Sequence, residues 1–111
     1  MTQHERVERA VISFSGSGDN TIISAPSAGR LAIDFISLMP TASTDITFIA
    51  GSTNISGAYP LDAKQAITLE NTIDGREGIL GKFNASDALK INSGTATQVS
   101  GYVLYRVIDS H

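Results

Sequence analysis

The sequence predicts an all-β domain, a jelly-roll-like or Greek-key β-sandwich, with a partly open barrel as the alternative. Three observations predict it. Seven or eight short β-favouring segments follow one another, separated by clusters of Gly, Ser, Asn, Asp and Pro; this is the pattern of strands and turns, not of strands alternating with helices. Two of the segments are apolar or β-branched on both parities, as strands are when both faces are covered. The chain of 111 residues is long enough for one core and short for two.

Taken in order, Val7–Phe14 mixes charged and β-branched residues and meets SGSGDN. Glycine there admits positive φ, and Asp or Asn can bond its own backbone, so a strand ends in a turn. NTIISA, from Asn20 to Ala25, is a second short strand closed by APSAG. GRLAIDFISLM is the longest apolar segment. Strict alternation puts Leu31, Ile33, Phe35 and Ser37 on one face and Arg30, Ala32, Asp34, Ile36 and Leu38 on the other, and the first set is the expected core face.

DITFIAGST places Ile46 and Phe48 opposite Thr47 and Ile49, so this strand is central in a sandwich or covers part of a subunit contact. Gly57 and Pro60 mark a loop. A helical turn at Pro60 to Lys64 is compatible with proline at a first helical position, but a loop or short turn leading into a strand over Gln65–Glu70 is the favoured reading. IDGREGILGKF, with three glycines from Gly75 to Gly81, reads as a tight turn with short extended pieces. DALKIN alternates again, SGTAT turns, and QVSGYVLYRVI gives the strongest strand signal, with Tyr102 and Tyr105 on opposite faces. The resulting division is a polar N-terminal arm or start of the first strand at 1–10, one sandwich domain at 11–108 and a C-terminal tail at 109–111.

Composition narrows the function. Hydrophobic residues make up 41% and mean hydropathy is close to zero, enough for a core and unlike a disordered chain. A domain this small buries a modest share of its surface, so self-association is a natural source of added stability. Eight Lys and Arg against eleven Asp and Glu provide no basic stripe to follow a phosphate backbone, and nucleic acid is not an expected partner. Without cysteine there is neither disulfide nor thiol chemistry. The polar start MTQHERVERA does not read as a signal peptide, and no apolar run approaches a membrane span, so membrane insertion is not expected.

Three segments together, ISAPSAGRLAIDFISL, DITFIAGSTNISGAYPL and VSGYVLYRV, resemble a family of small β modules of tailed bacteriophages, the capsid-decoration and tail-associated proteins. The resemblance covers roughly Val11 to Val107. It implies a compact β-sandwich, assembly as a homotrimer, other virion proteins as partners, and a place on the virion after synthesis in the host cytoplasm. It transfers no catalytic or receptor-binding residue.

No candidate for chemistry is complete. His4 and His111 stand near opposite ends of the chain with no other histidine, too few for a zinc set. Asp19, Asp74, Glu77 and Asp87 are oxygen ligands that loops can bring to one end of a sandwich, as calcium requires, but they lack EF-hand spacing and are ordinary turn residues. Ser13, Ser15 and Ser17 have no adjacent base, and GSG at Gly16–Gly18 lacks the GK[ST] of a phosphate loop. Glycoside cleavage requires two acids across a cleft, which the spacing does not provide. NIS at Asn54 and NAS at Asn84 match the glycosylation pattern without a secretion signal beside them.

Tyr59, beside Pro60, suits either a recognition surface for a host carbohydrate or simple loop packing. Arg30, Arg76 and Arg106 are candidate intersubunit contacts, with Asp34, Asp62 or Asp74 as partners. The expectation is therefore a non-enzymatic virion structural protein without catalytic residues, cofactor or metal, homo-oligomeric and preferably trimeric. The alternative is a host-recognition or carbohydrate-binding module; an enzyme ranks third.

Overall fold

The computed structural model describes residues 6–70, 78–81 and 83–108. Among them the chain forms nine strands: β1 (Glu8–Phe14), β2 (Gly18–Ile23), β3 (Arg30–Pro40), β4 (Thr44–Ala50), β5 (Thr53–Asn54), β6 (Tyr59–Leu61), β7 (Ile67–Glu70), β8 (Leu89–Ser93) and β9 (Val99–Ile108). No helix occurs among the described residues. Pro60 lies in the edge strand β6, where its missing N–H costs nothing to the ladder, and the chain then turns at Asp62–Gln65, with Lys64 at φ 63° and the Gln65 amide donating to the Asp62 carbonyl.

Two antiparallel sheets result, in the orders β1-β9-β3-β7 and β2-β8-β4-β5, with β6 also on β4. The pairings nest: β1 with β9, β2 with β8, β3 with β7, β4 with β5 and β6. A long antiparallel hairpin rolled up until β9 meets β3 and β8 meets β4 has this order, which is that of a jelly roll. The all-β sandwich expected from the turn spacing is the fold.

Every step from β1 to β4 that changes sheet is made by a turn-rich segment. Between β1 and β2 the Asn20 amide donates to the carbonyls of both Gly16 and Gly18 at 3.1 Å, so the GSG sequence shapes a corner. At the end of β8, Ser93 donates to the Thr95 carbonyl at 2.7 Å, Thr44 Oγ1 lies 2.8 Å from Ser93 Oγ, and the Thr95 amide donates to Thr44 Oγ1 at 3.0 Å. That closed set lets two buried hydroxyls lie at the margin of an apolar core without loss.

The core between the sheets comprises Ile12, Leu31, Ile33, Ile36, Leu38, Val99 and Val103 from the first sheet, and Ile23, Ile46, Phe48, Ala50, Leu89 and Ile91 from the second, with Phe83 added from the chain before β8. β4 has β8 on one side and β5 and β6 on the other, and is the central strand that its two-sided pattern suggests.

The face assignment for β3 is corrected. Ile33 pairs with Tyr105 and Phe35 with Leu104, so Asp34 is one residue too many in β3 and forms a bulge. The extra residue exchanges the parities. Leu31 and Ile33 before it and Ile36 and Leu38 after it are all buried in the core, while Phe35 and Ser37 turn to the opposite face. On the other edge of the bulge, the Ile79 amide donates to the Ile33 carbonyl at 2.8 Å. Gly78, with φ 86°, lies so close that a Cβ there would approach the Ile33 nitrogen to 2.6 Å.

Gly101 in β9 sits opposite Leu38, and a Cβ there would collide with the Ser37 carbonyl oxygen and come within 2.7 Å of the Leu38 Cα. The β9–β3 pairing closes the roll, so Gly101→Ala is expected to lower stability by about 1–3 kcal/mol, measured as a fall in the urea midpoint at unchanged m-value.

Candidate functional site: the outer face of the first sheet

Directly paired residues of an antiparallel sheet project to the same side, so the register defines the rows of each face. On the inner face of the first sheet the rows run Ala10–Val103–Ile36–Leu69 and Ile12–Gly101–Leu38–Ile67. Between them lie the outer rows: Arg9–Leu104–Phe35–Glu70, then Val11–Tyr102–Ser37–Thr68, then Ser13–Ser100–Met39.

The middle of this outer face is apolar. Val11 is 70% exposed, Met39 42% and Tyr102 37%, with Phe35 and Leu104 half-buried in the row on the other side of Val11 and Tyr102 from Met39. Phe35 and Tyr102 stack at 5.4 Å between ring centroids, and the Arg9 guanidinium lies over the Tyr102 ring at 5.7 Å, within range of a cation–π attraction. In the far row, beside Met39, two serines are tied together: the Gln98 side-chain amide donates to Ser13 Oγ at 3.2 Å and Ser100 Oγ at 3.1 Å.

The face is closed at the bulge. Arg30, Ala32 and Ile108 share its parity and are all buried. The bulged Asp34 accepts two bonds from Arg106, from Nε at 2.8 Å and from Nη2 at 3.0 Å. Planar guanidinium and planar carboxylate match edge to edge, which makes this pair directional as well as charged.

The second sheet differs. Its outer rows are Asp19–Asn92–Thr47 and Thr21–Lys90–Ile49, polar apart from Ile49, and the Asn92 amide donates to Asp19 at 2.7 Å. One side of the sandwich is suited to water and the other, in its middle, is not.

The residues singled out in the sequence fall in several places. Arg106 meets Asp34 within its own chain. Arg30 is 7% exposed, held within its own chain. Arg76, Asp74, Glu77, His4 and His111 lie outside the described residues. Tyr59 is partly buried on β6, its ring edge-on to Phe48 at 6.0 Å, so much of its apolar surface is spent on the core. Beside β6 is an open recess of about 300 Å³ lined by residues including Asp45, Pro60, Asp62 and Thr95, with no aromatic side chain among its walls.

Asp19 and Asp87 do not converge. Asp19 lies opposite Asn92 near the end of β8, whereas Asp87 precedes β8 and accepts the Asn84 amide at 2.9 Å, on the order of 15 Å away along an extended chain. Among the described residues no three His, Asp or Glu side chains gather as metal ligands do. The apolar row residues Phe35, Leu104, Val11 and Met39, and the charges Arg9 and Glu70 at its ends, were not marked by any motif. Alternation in each strand was their signal, and only the register joins it across strands.

No protein-family model, characterised protein or solved structure significantly matches this chain.

Asp34→Asn keeps the shape of the bulged side chain and removes its charge. It is expected to cost about 1–3 kcal/mol, the range for a charge-assisted bond in a partly buried setting, with Arg106→Gln costing a similar amount and the double variant less than the sum. A thermodynamic double-mutant cycle in urea checks this.

Proposed function

We propose that this protein is a non-enzymatic bacteriophage virion structural protein, a homo-oligomeric jelly-roll module of a capsid decoration or tail, with a trimer as the preferred assembly. The observation that carries the reading is the contrast between the two outer faces. A monomer gains nothing by exposing Val11, Met39 and Tyr102 together on a stacked apolar surface, while the opposite sheet shows an ordinary wet face. A patch with an aromatic and aliphatic centre and a polar margin has the anatomy of a protein–protein contact.

The virion setting is supported by the resemblance carried by ISAPSAGRLAIDFISL, DITFIAGSTNISGAYPL and VSGYVLYRV, and the trimer by the same resemblance. Other virion proteins are then its partners, reached after synthesis in the host cytoplasm. Activity in this reading comes from repeated complementary surfaces; small domains of this size commonly gain stability from such association.

Light scattering during size-exclusion chromatography of the tag-free chain, over a range of protein concentrations, tests the assembly. The expected mass is near three times 11.7 kDa. A mass of 11.7 kDa at every concentration overturns the homo-oligomeric reading. For the setting, antibodies against the chain are expected to decorate particles made by the genome that encodes it, in electron micrographs; particles that stay bare argue against a virion location.

A further inference from the structure

One row of the outer face has a property that apolar burial alone does not require. It reads cation, apolar, apolar, anion: Arg9 on β1, Leu104 on β9, Phe35 on β3, Glu70 on β7. β1 and β7 are the two edge strands of the sheet, so the positive charge stands at one margin and the negative charge at the other. Both side chains are exposed, and among the described residues neither makes an ion pair.

They do not pair with each other in one chain. Three strand spacings separate their backbones, roughly 14 Å, with Leu104 and Phe35 between them.

We infer that the occupant of this face is a second copy of the chain, set so that the β1 margin of one copy meets the β7 margin of the next, with Arg9 of one opposite Glu70 of the other. This rests on the homo-oligomeric reading above and adds the face and its register. When two such faces meet through a rotation axis parallel to the strands, left and right margins exchange. β1 then lies against β7 in a face-to-face pair, and equally where three copies turn their faces toward a common axis.

The competing arrangement, with an axis across the strands, sets β1 against β1 and Arg9 near Arg9. It gains the same apolar burial but places like charges together, which complementary interfaces avoid. The charge pattern therefore selects between two packings that the apolar centre leaves equal. Leu104 and Phe35 lie near the axis with Tyr102 in the next row, and the Arg9 guanidinium rests over the Tyr102 ring on the neighbouring strand β9.

Charge reversal tests it. Arg9→Glu and Glu70→Arg are each expected to raise the dissociation constant of the wild-type assembly at least about tenfold, and the double reversal, which restores opposite charges only across copies, is expected to recover it to within about threefold. Mass is read by light scattering against concentration, with circular-dichroism melts showing each variant folded.

Single reversals that leave the assembly unchanged, or a double reversal that stays as weak as the singles, overturn this register while the homo-oligomer stands. A wild-type chain that is monomeric throughout overturns the homo-oligomeric reading itself.

Discussion

One residue more in β3 than in its partner governs both sides of the first sheet. The bulge at Asp34 lets an eleven-residue strand contribute to the core along its whole length without strict alternation: Leu31 and Ile33 on one parity, Ile36 and Leu38 on the other. It also bends and twists the strand, as bulges do, and aims an acidic side chain at Arg106 on β9. If β3 paired with β9 in unbroken alternation, with Asp34 opposite Leu104, Phe35 would take the place in the core that Ile36 holds, and the outer face would lose the ring that Tyr102 stacks on.

Much of this architecture is legible in the order of residues. Turn clusters at SGSGDN, APSAG and SGTAT separate strands that the structure contains, Ile46 and Phe48 face the core, and Tyr102 and Tyr105 do lie on opposite faces of β9. What alternation does not disclose is a break in itself. Asp34 in an apolar strand is the visible trace, yet a single acidic residue is also compatible with an ordinary outward position. β6 was hidden for a related reason: Gly57 and Pro60 punctuate chain in either a loop or an edge strand.

The candidate site was less legible than the fold. Arg9 and Glu70 are separated by 61 positions and share a row only because β1 joins β9, β9 joins β3 and β3 joins β7. Pairing order of that kind is a property of the rolled hairpin and has no local signature. The residues that attract attention singly have quieter positions: Arg106 serves the bulge, Tyr59 braces Phe48, and Asp19 is bonded to Asn92. A surface assembled from ordinary residues on four separate strands leaves no motif in the sequence.

The nested pairing has a kinetic meaning as well. β4 reaches β5 and β6 across a few residues, whereas β1 reaches β9 across most of the chain, and loop-closure entropy favours the short connections first. Zippering from the innermost pair outward brings β1 onto β9 late. The outer rows need all four strands of the first sheet, so a half-folded chain has not yet assembled that apolar face. An apolar patch that forms only when the sheet is complete cannot join partly folded chains, which spares a crowded nascent population one route to tangled aggregates.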